Sequence, residues 1–161
     1  MIVLNDEINC AREGTKTDTL HVETFNSREF GFLGYADPDK VVFYRTPERR
    51  HTYKSEFVID DVVELPQVDI VYGYQNASGA PVAALIADGA KGIVSASSSP
   101  ALSAALKDAA AQGIKIVSSD NKGQGRVLVR QSRLDDGLVS GDNLRPQKAR
   151  ILLMVAMACG Y

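Results

Sequence analysis

Apolar positions from Gln67 onward fall in short continuous blocks that alternate with helical stretches. Val68–Tyr72, apolar but for Asp69, reads as a strand of the kind covered on both faces. Residues 81–87 then read as a helix, with Ser78 or Gly79 as its cap and Gly89 as its stop. Residues 92–95 form a second buried-type strand, Pro100–Ala111 an alanine-rich helix stopped by Gly113, and residues 114–117 a third strand. Strands alternating with helices over short connections predict a parallel sheet covered by helices. Pro146–Ala158 reads as a last helix with proline at its first position; it is apolar all round from Ile151, which predicts burial.

The first 66 residues are patterned differently. Ile2-Val3-Leu4 reads as a buried strand starting almost at the first residue, and this predicts that chain preceding it is missing. Polar residues rich in threonine (Thr15, Thr17, Thr19, Thr24) follow, then an aromatic and glycine-rich run at 30–35. Asp37-Pro38-Asp39 reads as a turn into a strand at 41–44. Residues 45–54 are charged and carry Pro47, as a surface linker would, and a half-apolar stretch at 58–65 ends at Pro66. The expected organisation is a remnant of an N-terminal domain at 1–44, a linker at 45–66 and a C-terminal domain at 67–161.

Composition narrows the function classes. The chain has 161 residues, 45% hydrophobic and 24% charged, as ordinary globular domains do. Net charge is −2, which does not point to nucleic acid. Residues 1–80 carry 8 Lys and Arg against 14 Asp and Glu, and residues 81–161 carry 10 against 6, so the halves differ in surroundings. The longest apolar run, 151–159, is far below the ~20 residues that span a bilayer. No secretory signal is visible, so the expected compartment is the cytoplasm by default. Cys10 and Cys159 make neither a disulfide framework nor a CxxC pair, and His21 and His51 lack ligand spacing, so neither metal nor cofactor is expected.

A few residues could carry chemistry. Lys16, between Thr15 and Thr17, could relay a proton if burial lowered its pKa, or be an ordinary surface lysine. Asn76 and Ser78, after the first strand of the parallel unit, either bind a ligand or cap the next helix. Lys122, Arg126, Arg130 and Arg133 make either an anion or partner surface or, the ordinary reading, a solvated face. No Gly-x-Ser-x-Gly elbow, phosphate-binding loop or zinc-protease motif occurs.

Several blocks taken in order resemble a known family. They are Leu4-Asn5-Asp6-Glu7-Ile8, then Thr15-Lys16-Thr17 with Asp18, Thr24 and Phe25, then Arg45-x-Pro47 and Arg50-His51-Thr52. They continue with Leu65-Pro66-x-Val68-Asp69-Ile70, Asn76-Ala77-Ser78, the stretch 87–94, and Pro146-Gln147-Lys148-Ala149-Arg150. Over nearly its whole length the chain resembles the C-terminal half of bacterial-type L-asparaginases and glutaminase-asparaginases. The resemblance implies an α/β fold: a flavodoxin/Rossmann-like C-terminal domain preceded by the tail of a larger α/β domain. It also implies hydrolysis of the side-chain amide of L-asparagine, or of L-glutamine, to the acid and ammonia, without a cofactor. Family members resemble one another in being homotetramers whose active sites lie between subunits. By the same resemblance Lys16 is the relay lysine that helps remove a proton from a threonine hydroxyl.

The departures matter as much. The family's Gly-Gly-Thr-Ile and His-Gly-Thr-Asp motifs, which carry both catalytic threonines and the aspartate, do not occur in these residues. Ser97-Ser98-Ser99-Pro100 stands where the family has a glycine-rich loop reaching a neighbour's substrate. Arg133 aligns with the glutamate that faces the substrate's amino group, so its charge is inverted and would repel an ammonium. Arg145 replaces the asparagine that caps the last helix. Three expectations follow: a C-terminal portion inactive alone, a subunit that complements a separate N-terminal asparaginase chain, or a non-catalytic domain for self-association or small-ligand binding.

Overall fold

Asn5 and Asp6 both have positive φ, 50° and 60°, as the two central residues of a type I′ hairpin must. They join β1 (Ile2–Leu4) to β2 (Glu7–Asn9) in the computed structural model, which describes residues 1–161. Two units result, Met1–Glu56 and Phe57–Tyr161.

In the first unit, β3 (Thr15–Lys16) and β4 (Phe25–Asn26) form their own antiparallel ladder. β5 (Gly34–Ala36) and β6 (Val41–Phe43) extend the N-terminal hairpin into an antiparallel sheet of order β1-β2-β5-β6. Its core is small: Ile8, Cys10 and Leu33, with Ala36 against them. The expected burial of Ile2-Val3-Leu4 is corrected here. β1 is an edge strand, and Val3 is 55% exposed because it has a neighbour on one side only. The charged segment after β6 contains one short 3-10 turn, Thr52–Lys54.

In the second unit, the stretch 58–65 forms no strand or helix: it turns at Asp60-Asp61, where the Val62 N–H donates to the Ile59 carbonyl at 3.1 Å, and Val58, Ile59 and Val63 are exposed. Then β7 (Val68–Tyr72), α1 (Ala80–Ala87), β8 (Gly92–Ala96), α2 (Pro100–Ala111) and β9 (Lys115–Ser119) follow in order. α3 (Gln131–Asp135), β10 (Leu138–Ser140) and α4 (Pro146–Ala158) complete it. All four strands are parallel, in the order β10-β9-β8-β7, so the predicted α/β architecture is present.

Alternation along the strands divides the core into two layers. Val71, Ile93, Ile116 and Leu138 pack with Val82, Leu102 and Leu106 of α1 and α2. Val68, Val94 and Val117 pack with Ala149, Leu153, Met154 and Met157 of α4. α4 is not buried all round: Ile151 is 52% exposed, since one face of the helix suffices to cover the sheet. α3 and β10 had no sequence signal, because a single helical turn and a three-residue strand are too short to show a period.

Candidate functional site

The loop that carries Lys16 is built around Thr24. The Thr17 N–H and hydroxyl both donate to the Thr24 carbonyl, at 2.6 and 2.8 Å. The Thr24 hydroxyl, buried, donates to the Asp18 carbonyl and accepts the Asp18 N–H at 3.0 Å. Asp18 Oδ1 accepts the N–H groups of Leu20 and His21, while His21 Nδ1 lies 3.0 Å from its other oxygen. These bonds, the His21 side chain first, hold the Asp18 carboxyl down at about 2. Lys16 therefore sits on an ordered two-strand ladder opposite Phe25. Its side chain is exposed within these residues.

At Gly14 a Cβ would meet the Cys10 carbonyl oxygen at 3.1 Å, Ile2 Cδ1 at 3.2 Å and Asn9 Cβ at 3.3 Å, so a larger residue fits only if these shift slightly. Asn9 is buried and its Oδ1 accepts the Ser27 hydroxyl at 2.6 Å, tying β2 to the end of the lysine ladder.

The second unit has a cleft at the carboxyl ends of its parallel strands, the usual ligand position in open α/β sheets. It encloses about 420 Å³, lined by Ser95 and Ser97 of the β8 end, Ser118 of β9, and Lys122, Arg126 and Arg133. A neighbouring lobe of about 460 Å³ shares Ser98, Ser118, Arg126 and Arg133 and adds Arg130. Lys122, Arg126 and Arg130 are exposed along the rim of this cleft, as the solvated-face reading expects, and Arg133 alone of the four is half-buried in it.

Their partners differ. Arg126 Nε donates to Asp142 Oδ1 at 2.6 Å, and Lys122 reaches Asp120 at 3.2 Å. The Arg133 guanidinium donates to the Ser118 hydroxyl at 3.1 Å and forms no ion pair. The two carboxylates that follow it in sequence are engaged elsewhere. Asp135 accepts from Gln131, and Asp136 binds Lys107 at 2.6 Å, which raises the Lys107 pKa.

Of the three serines of the altered loop, Ser99 is structural. Buried, it donates to the Ala77 carbonyl and caps α2 by accepting the Leu102 N–H at 3.1 Å. Ser97 and Ser98 are exposed in the cleft, and Ser97 lies in the left-handed region at φ 72°. Ser78 accepts the Ala80 N–H at the start of α1, and Asn76 turns the chain at φ 62°, so both serve the helix entry. Arg145 stands at the α4 N-cap without a side-chain cap bond. Sequence reasoning missed Ser95 and Ser118; their place at the ends of buried strands was the signal that could have found them. The cysteines are free, and no group of His, Cys, Asp and Glu could hold a metal. No helix is long and apolar enough to cross a membrane.

Residues 67–161 match the glutaminase/asparaginase C-terminal domain, and residues 1–49 match the asparaginase N-terminal model. The chain is similar to L-asparaginase 2 of Bacillus subtilis, 41% identical over 98% of this chain and 43% of that protein. It is similar to the glutaminase-asparaginase of Pseudomonas fluorescens, 38% identical over 98% of this chain and 45% of that protein. A crystal structure of a probable cytoplasmic L-asparaginase from Campylobacter jejuni superposes with a TM-score of 0.91 at 40% identity, over 96% of this chain and 49% of that one. The chain thus spans about half the length of the relatives it matches.

Proposed function

Because the chain belongs to the glutaminase/asparaginase family, we propose that it supplies the lysine loop and C-terminal part of an amidohydrolase that converts L-asparagine and water to L-aspartate and ammonia. L-Glutamine is the second substrate that the glutaminase-asparaginase relatives suggest. The observation that supports the reading is the ordered Thr15-Lys16-Thr17 loop, clamped by Thr24, in the block that resembles the family's lysine loop. A threonine hydroxyl at its free pKa is a weak nucleophile. In the completed enzyme, Lys16 Nζ takes part in removing the hydroxyl proton as the oxygen attacks the amide carbon. The nucleophile comes from a Gly-Gly-Thr-Ile motif and the relay aspartate from a His-Gly-Thr-Asp motif, neither of which lies in these 161 residues. These residues alone are therefore inactive; they act in an enzyme that also carries those motifs, on the same chain or on a separate one. The domain organisation proposed with this reading is 1–44, 45–66 and 67–161.

Ammonia release from L-asparagine tests it. The 161 residues alone should release none above background, and mixing with a chain bearing both threonine motifs should start turnover. Lys16→Ala should lower that turnover by about 10²–10⁴-fold, the range of a general acid–base group. Release by the 161 residues alone, lost in Lys16→Ala, would overturn the inactivity and make Thr15 or Thr17 the suspected nucleophile. A second reading, a small-ligand-binding domain without catalysis, is favoured by the basic cleft at the ends of β8 and β9.

A further inference from the structure

We infer that the cleft at the carboxyl ends of β8 and β9 is a binding site for a small oxyanion, a carboxylate or phosphate, with Arg133 as its anchoring cation. The inference goes beyond amide hydrolysis, since the second unit alone builds the cleft and binding is read without turnover.

Four observations support it. First, the lining holds three cations, Lys122, Arg126 and Arg133, against one carboxylate, Asp120. Asp120 and Asp142 pair with Lys122 and Arg126, so Arg133 is the cation of the lining left without a carboxylate, and a concave site focuses its field on a counter-ion. Second, Arg133 is half-buried there with a hydroxyl as its hydrogen-bond partner and no carboxylate. A guanidinium has five N–H donors in a planar fork, and the Ser118 bond uses one of them. The others suit the two oxygens of a carboxylate or phosphate.

Third, the charges that could have neutralised Arg133 are turned away. Asp135 is bound by Gln131 and Asp136 by Lys107, so the cation remains available to a ligand. Fourth, donors surround the same space. Ser118 accepts from Arg133 and so keeps its own O–H to give, and the Ser97 and Ser98 side chains are exposed to the cleft. The ligand this selects is opposite in charge to the ammonium that family resemblance leads one to expect at the Arg133 position.

The test is calorimetric titration of the full 161-residue chain at low salt with succinate, inorganic phosphate and the neutral succinamide. One or both dianions should bind and the neutral amide should not; which of them binds identifies the carboxylate or phosphate source. Arg133→Ala should weaken binding at least ~10-fold, the loss of a charge-assisted fork. Ser118→Ala should weaken it by a smaller factor, about threefold, through a less fixed guanidinium. Lys91→Ala removes the same charge just before β8, at the other end of the strand, and should stay within about twofold, as a screened distant charge does. Absence of binding to the wild-type chain would overturn the inference, as would equal affinity for succinamide. Equal losses in Arg133→Ala and Lys91→Ala would overturn it too, since diffuse charge alone would then explain the binding.

Discussion

Asp18 shows how much one side chain can organise. Its carboxylate takes two backbone N–H groups and the His21 ring, and its pKa falls from 3.8 to about 2. A carboxyl with a depressed folded pKa adds stability above its unfolded pKa and loses it as pH falls through the folded one. The lysine loop should therefore loosen as pH drops from about 4 to about 2, read as faster amide exchange at Leu20 and His21. Asp18→Asn should make exchange at those two amides fast already at neutral pH and remove the acid step. At this scale the sequence was partly legible. Lys16 and its threonines stood out as chemistry, but their clamp did not, because Thr24 acts from seven residues beyond Thr17. Arg133 was recognisable only as a charge; that Ser118 would receive it depends on a bond across fifteen residues.

Elements were legible where their period had room to repeat. β7, β8, β9, α2 and α4 lay close to where apolar spacing placed them, and Pro100 and Pro146 stand at the first helical turn. The N-terminal hairpin was missed because its turn is Asn5-Asp6, without the glycine that usually marks type I′ geometry. Two substitutions test element ends. Arg145 holds N-cap dihedrals, φ −65° and ψ 155°, but gives α4 no side-chain cap. Arg145→Asn should stabilise the second unit by ~1 kcal/mol in urea denaturation, as a cap oxygen reaches the orphan amides of the first turn. Gly73 leaves β7 against the Ser97 turn, where a Cβ would meet the Ser97 carbonyl oxygen at 2.5 Å and Ser98 Cα at 2.7 Å. Gly73→Ala should cost about 1–3 kcal/mol by overpacking, and shift the Ser97 and Ser98 amide resonances that border the cleft.

For the whole molecule, the two units differ in how much core they contain. The first rests on Ile8, Cys10 and Leu33, whereas the second has two separate apolar layers on either side of its sheet. Edge residues Val3, Leu4, Val41 and Phe43 are exposed on β1 and β6, the kind of unpaired edge that pairs with other chains. Limited proteolysis should therefore cut before about Arg50 first and leave residues 67–158 protected. Protection of the first 40 residues instead would contradict the small core assigned to that unit. The fold class was legible at this scale because β-α-β-α-β alternation survives in a single sequence. The half-buried place of Arg133 in the cleft was not, since it depends on the one bond by which α3 reaches Ser118 of β9.

The parallel sheet has strands neighbouring one another in the order they occur along the chain, from β7 to β10. During synthesis, each emerging strand thus finds its partner already made, and the layer under α1 and α2 can close as the ribosome proceeds. The opposite layer cannot. Val68, Val94 and Val117 wait for α4, which leaves the ribosome after all three strands. At about 5–20 residues per second, that face stays uncovered for on the order of ten seconds after β7 is made. The nascent chain would meet chaperones on this side, and codon changes that slow translation between β9 and α4 would lengthen the exposure without altering a single residue.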